Sequence, residues 1–524
     1  MNKEQARHLI KETFEKSFDR GRFITFIKNL LNEYEPSGFS QQGYNIKDSF
    51  KQYISKYERI GKFQDEEKSI DILIVHLKKE TSLEQARTMQ RNFVSWYLNG
   101  GRGGVLRDAA LVAYVSSDSD DWRFSLVKMD YRFESTKNGK IKIKEEFTPA
   151  LRWSFLVGEN EKSHTAQSRL EPILEDDKIN PTLAQLEEAF NIEKVTKEFF
   201  IKYHDLFIKL QNVFDKIILQ DKKIKSEFIL KNINTSDFVK KLLGQIVFLY
   251  FIQKKGWLGV ERDEDWGTGP KDFLRRLFKK EIKGYDNFFN NILEHLFYNE
   301  LAVPRDNNYS SNFNCKIPFL NGGLFESDYD WVHTDISIPD RLFSNSEISK
   351  EGDIGTGILD VFDLYNFTVK EDEPLDKEVA IDPEMLGKVF ENLLESKERK
   401  SKGSFYTPRE IVHNMCQESL IKYLYSNLQN KSDVFIQKQS IKDFVLNCET
   451  FMEYYIEVSE KRIRGINSLK YRNLKLPELI ISNSEKIDNL LENIRVCDPA
   501  IGSGAFPVSM MIEIVRLRML LLNA

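Results

Sequence analysis

Ile494-Arg495-Val496-Cys497-Asp498-Pro499-Ala500-Ile501-Gly502-Ser503-Gly504-Ala505-Phe506 is the stretch whose reading decides the fold. Residues 494–497 read as the end of a strand. Asp498 to Phe506 make a tight turn, and 507–522 carry the apolar periodicity of a helix. A strand, a glycine turn and a helix form the first unit of a doubly wound sheet, with the acid at the carboxyl end of the strand where such sheets meet their ligands. Glycines there let a ligand come close to the backbone. A dinucleotide fingerprint, G-x-G-x-x-G, needs a third glycine where this sequence has Pro507.

Upstream lies Lys402-Gly403-Ser404-Phe405-Tyr406-Thr407-Pro408, followed by a helical stretch from Arg409. Pro408 suits a first helical position, where a missing N–H costs nothing, and Thr407 suits the cap before it. An ordinary capped helix would show the same local chemistry. Taken together and in this order, D-P-A-x-G-S-G-A-F and G-S-F-Y-T-P resemble the cofactor elements of N6-adenine DNA methyltransferases of the γ arrangement. The resemblance implies S-adenosylmethionine as methyl donor. It also implies a cofactor site made of Phe405, Tyr406, Thr407, Pro408, Asp498, Pro499, Ala500, Gly502, Gly504, Ala505 and Phe506.

The segments Leu242–Gly259, Ile317–Glu326 and Ile381–Glu395 are similar to the helical parts that precede the methyltransferase in fused restriction–modification enzymes of the type IIG kind. The resemblance implies a three-part chain. Residues 1–175 would be a PD-(D/E)XK-like α/β nuclease domain, 176–380 a mainly helical connector, and 381–524 the start of a Rossmann-like methyltransferase domain. Double-stranded DNA is the partner this implies. The N-P-P-[YF] tetrapeptide, which in that family holds the extruded adenine, does not occur here. The expectation is therefore an N-terminal portion of a longer protein. It would be inactive in methyl transfer by itself and dependent on further sequence or on a second chain.

The amino-terminal third alternates in type. A helical opening is followed by strand-like runs at Tyr57–Phe63 and Ser69–Lys79, a helix ending at Asn99-Gly100-Gly101, and two more strand-like runs at Ala109–Val115 and Trp122–Tyr131. Within SIDILIVHLKK the E-x-K slot of a nuclease would be His76-Leu77-Lys78, with His where Glu is expected. His76 and Lys78 share one strand face, and Asp71 lies on the other. Asp65 or Glu58 would then supply a further carboxylate. The resemblance thus implies Asp65, Asp71, His76 and Lys78 as nuclease residues, with Mg²⁺ held by Asp65 and Asp71. Gln85, Gln90 and Arg91, on the following helix, are candidates to line the same cleft.

Composition sets the outer bounds. The chain has 524 residues, 41% hydrophobic and 30% charged, the balance of a globular protein. Its net charge of −5 means that DNA contact depends on local basic clusters, with Arg275-Arg276, Lys279-Lys280 and Lys397 to Lys402 as candidates. Four dispersed cysteines, with no C-x-x-C, argue against a disulfide framework or a thiolate zinc site. No run reaches the length of a membrane span, and a cytoplasmic protein is expected.

Overall fold

The computed structural model describes all residues except 66, 80, 82, 84–86, 102–103, 130–132, 136–140, 144–149, 177, 321–322, 351, 370–374, 384–386, 388–406, 408, 431–436, 449–450, 453–454, 456–475, 500, 502–503 and 524. The helix expected at Pro383–Glu395 and the basic run Lys397 to Lys402 fall mostly or wholly outside the described residues.

Ser69–Leu77 is β3, an interior strand of a seven-stranded sheet among the described residues. Its apolar run is continuous because both faces are covered. Ile70, Ile72 and Ile74 enter one core, and Leu73, Val75 and Leu77 enter another on the opposite side. The other strands are β1 (Phe39–Gln42), β2 (Ile54–Gln64), β4 (Ala109–Val115), β5 (Asp121–Lys128), β6 (Leu151–Gly158) and β7 (Asp376–Glu378), in spatial order β1 to β7. Only β3–β4 and β6–β7 are parallel. The β3–β4 crossover is made by helix α3 (Arg87–Leu98), which ends at the predicted Asn99-Gly100 break.

Helices α1 (Lys3–Phe14) and α2 (Arg20–Leu30) cover the face opposite α3. They are separate helices, where the sequence reads as one, because Asp19 caps the second through the backbone N–H of Arg22. The same core continues through α4 (His164–Glu175), α5 (Leu183–Ala189), α6 (Ile192–Gln220), α7 (Lys222–Leu230) and α8 (Thr235–Lys254). The described chain is mainly helical from Leu183 to Lys254. Beyond it the chain is largely irregular. Gly256 and Gly259 sit in the left-handed region, at φ of 70°, where a Cβ would strike Gly267 or Phe273.

No break in the core separates 1–175 from 176–380. One hydrophobic cluster runs from Ala6 to Ile381, and β7 returns to complete the amino-terminal sheet. A second core, from Leu420 to Leu521, belongs to an all-helical unit among the described residues beyond 408. It contains α11 (Arg409–Asn430), α12 (Lys438–Leu446), α13 (Glu478–Ile481), α14 (Ser484–Glu492) and α15 (Ala505–Asn523); α9 (Phe273–Phe278) and α10 (Ile358–Asp363) belong to the connector. The strand expected at Ile494 to Cys497 is irregular chain with no ladder partner among the described residues, and Val496 is half exposed. An apolar segment becomes a strand only when a neighbour takes up its N–H and C=O groups.

Candidate functional site

The helices that follow the two motifs pack against each other in the helical unit. Helix α11 begins two residues after Thr407, and α15 begins one residue after Gly504. Glu513 of α15 is buried and binds His413 Nδ1 at 3.1 Å, accepts from Gln417 at 3.2 Å and lies 3.6 Å from Arg516. Burial pushes its carboxyl up, but these partners outweigh that and hold it below its ordinary value. The Cys416 thiol faces the carbonyl of Phe506 at 3.7 Å. Glycine is required at 504, where φ is +82°, and nothing lies within 4 Å of the position a Cβ would take. Asp498 is partly exposed. Thr407 is also partly exposed, and Pro499 is exposed. Phe405, Tyr406, Pro408, Ala500 and Gly502 lie outside the described residues. Along α15, Met511, Val515, Met519 and Leu522 form an exposed apolar stripe, 48% to 80% accessible.

The nuclease set drawn from the sequence does not assemble. Asp71 is 1% exposed and faces α3. It accepts from Tyr97 Oη at 2.5 Å and pairs with Arg59 at 3.3 Å and Arg107 at 3.2 Å. Burial and Asp71 together push the Tyr97 hydroxyl well above its ordinary value, so it stays a donor. Asp65 lies in the turn at the start of β3, where its Oδ2 accepts from the backbone N–H of Leu183 at 2.9 Å. His76 lies near the other end of β3, roughly 16 Å along the strand from Asp71 at about 3.3 Å per residue, and Lys78 just past that end is farther still. Lys78 is exposed and makes no ion pair among the described residues. Among those residues no group of three or more His, Cys, Asp and Glu is placed to hold a metal ion. With Asp71 neutralised by two guanidiniums and Asp65 turned to another helix, the residues present do not fit Mg²⁺ in this arrangement.

His76 has a different partner. Its Nε2 lies 3.3 Å from Oε1 of Glu58 on β2, and Lys56 (2.8 Å) and Arg20 (3.2 Å) share the same carboxylate. Burial raises the Glu58 carboxyl, and Lys56 and Arg20 more than reverse this and hold it below its ordinary value. Burial depresses the His76 imidazole, with Glu58 opposing. Gln90 and Arg91 are buried on α3 against the far face, and Gln85 lies outside the described residues.

Sequence reasoning missed a third constellation. On the α3 side of the sheet, Arg152 forks onto Asp376 (3.0 and 2.5 Å), Arg87 reaches both Asp376 (3.3 Å) and Glu378 (3.5 Å), and Arg123 binds Glu378 at 2.9 Å. All five are buried. The available signal was a charge at an interior position of each apolar strand, in WRFSLVK and LRWSFLVG. Of the proposed DNA contacts, Arg275 is engaged internally by Asp363 (2.7 Å), Asp360 (3.0 Å) and Ser344 (2.7 Å) and is not available to DNA. Arg276 pairs with Asp272 at 2.8 Å on the surface.

No family model matches this chain, and no solved structure matches it. A curated protein of Methanocaldococcus jannaschii, named "Putative type II restriction enzyme and methyltransferase", is 28% identical to it over 362 residues. The alignment covers 62% of this chain and 26% of the relative, so the chain spans about a quarter of the length of the protein it matches. No helix among the described residues is long and apolar enough to cross a membrane.

Proposed function

We propose that this chain is part of a restriction–modification protein acting on double-stranded DNA, and that residues 381–524 contribute to an S-adenosylmethionine-dependent adenine-N6 methyltransferase. The observation that carries the reading is the packing of α11 on α15, which draws the segments following Thr407 and Gly504 into one core through Glu513. The likeness to the archaeal restriction enzyme and methyltransferase supports the same reading. The bound cofactor would supply an electrophilic methyl group. The chain's own residues would bind and orient it, Asp498 accepting hydrogen bonds at the turn and Gly504 allowing close approach. The exposed stripe on α15 supports a covering layer provided by further sequence or by a second chain. Positioning a base beside the methyl donor is worth about 7–11 kcal/mol, and this chain lacks the N-P-P-[YF] segment for it, so methyl transfer by residues 1–524 alone is not expected.

The test has two arms. Ultraviolet cross-linking of labelled S-adenosylmethionine to the purified chain should label peptides around 405–409 and 498–506, and Asp498→Ala should weaken labelling at least tenfold. Expression in a host without adenine methylation should be followed by mass spectrometry of its DNA. Efficient N6-methylation by residues 1–524 alone, or labelling indifferent to Asp498, would overturn the account of the site.

A second reading concerns the amino-terminal domain. The engagement of Asp71 by Arg59, Arg107 and Tyr97 favours a domain that binds DNA without Mg²⁺-dependent cleavage. Plasmid digestion in Mg²⁺ with a Lys78→Ala control tests it, and metal-dependent nicking lost in that variant would refute it.

A further inference from the structure

The carboxyl ends of β3 and β4 open onto a cleft of about 860 Å³, lined by Gln52, Ser55, His76, Leu77, Lys78, Lys79, Val115 and Ser117. We infer that this cleft is a metal-independent seat for a phosphodiester of duplex DNA. The inference rests on the DNA-binding reading of this domain and names the part of the ligand that it takes.

Several observations converge here. The cleft lies outside the carboxyl ends of the parallel pair bridged by α3, which is where open α/β sheets place their ligands. Its described lining holds two lysines and an imidazole but no carboxylate. Lys78 and Lys79 are exposed and form no ion pair among the described residues, so a phosphate would displace water and counterions, not a protein partner. Glu58, which lies 3.3 Å from the His76 ring, is already occupied by Lys56 and Arg20 and is held in its charged form by them. It is thereby screened from an incoming anion and withheld from a metal ion. The hydroxyls of Ser55 and Ser117 sit on the two walls; Ser55 donates to the carbonyl of His76 at 3.1 Å, fixing the strand end, and Ser117 to Asp118 at 3.3 Å. Point charges on flexible stems beside small hydroxyls suit a backbone phosphate better than a base edge.

The experiment is fluorescence anisotropy of a labelled 20-base-pair duplex with the 524-residue chain in EDTA, repeated over a range of salt. The double variant K78A/K79A should weaken binding about tenfold, uniformly across sequences, and should lower the salt slope by about two, one per lysine. K78R/K79R should restore it. Both side chains are exposed, so folding is unaffected, and tryptophan fluorescence verifies this. A surface control, Lys225→Ala on α7, should leave affinity unchanged. Unchanged affinity in K78A/K79A overturns the proposal, as does binding that requires Mg²⁺. Tight binding of inorganic phosphate or ATP, with duplex unable to compete, would assign the cleft to a free phosphate compound and overturn its DNA role. Cofactor cross-linking at 498–506 is measured on the same variants. Its loss from wild type with lysine-dependent DNA binding intact defeats the methyltransferase reading alone, and the reverse outcome defeats only this one.

Discussion

Replacing Asp376 by Asn tests how the amino-terminal sheet is closed. Asp376 stands directly beside Arg152 in the parallel β6–β7 register and accepts two charge-assisted bonds from it and further contacts from Arg87. Arg152 and Asp376 are at most 1% exposed, so solvent screening gives no relief. An asparagine keeps the shape and one acceptor but removes the charge. Arg87, Arg123 and Arg152 then share Glu378 alone, and removal of one partner from a buried ion pair costs about 3–5 kcal/mol. The structure also sets a pH dependence. Burial alone would raise the Asp376 carboxyl, but Arg152, Arg87 and Arg123 hold it far below the ordinary carboxylate range. Its stabilisation is therefore complete above about pH 4, the unfolded value, and is lost as pH falls towards the lower folded one. The assay is urea denaturation followed by tryptophan fluorescence. All six tryptophans lie between Trp96 and Trp331, so the signal reports on this unit and not on the helical unit beyond 408. D376N should lower the midpoint sharply at pH 7, and the gap to wild type should narrow steadily as pH falls below about 4. A loss under about 1 kcal/mol, or an unchanged difference in acid, would show that the arginines do not depend on this carboxylate.

Asp71→Asn should cost about 3 kcal/mol in the same assay, because it strips charge from a buried partner of Arg59 and Arg107, whereas Lys78→Ala should stay within about 0.5 kcal/mol. Wild-type stability in D71N together with lost DNA cleavage would reinstate Asp71 as a metal ligand. His76 should make the sheet less stable as pH falls below about 6.5. Burial depresses its folded value, with Glu58 opposing and Lys56 and Arg20 assisting, so the unfolded chain takes up the proton first. That slope should flatten in His76→Gln; a slope unchanged by the substitution would assign it to other groups. Glu513→Ala should cost about 2 kcal/mol by leaving His413 and Arg516 without their shared acceptor, and should speed hydrogen exchange in α11 around Cys416. Unchanged exchange there would show that the helix pair is held by its apolar core alone.

The central strands were legible because their residues say one thing at every level. SIDILIVHLKK is β-branched, apolar on both faces and bounded by charge, and it folds as a strand with Lys78 just beyond its end. The glycine break after Leu98 and the periodic helix before it were legible for the same reason. Asp71 was not. A carboxylate in a buried strand looks the same in sequence whether it faces a metal or two guanidiniums, and its partners come from β2, α3 and the loop at Arg107. Ile494 to Cys497 failed in the opposite sense. Its residues favour a strand, but strand formation depends on a neighbour that local sequence does not contain.

Least legible was β7. Asp-Lys-Glu at 376–378 has no strand character in its own right, and three charged residues in a row normally mark solvent. It pairs because Arg123 and Arg152, on strands far upstream, present guanidiniums at the edge of a buried sheet face, and only acids can occupy that edge without leaving those charges uncompensated. The two oddities explain each other: an arginine inside each apolar strand and an acidic strand after a long connector. The connector is thus fixed to the amino-terminal sheet at both ends, by the shared apolar core at its start and by β7 at its close. A boundary at 175 would part three buried arginines from both of their carboxylates. The physical unit therefore runs from the first helix to Ile381.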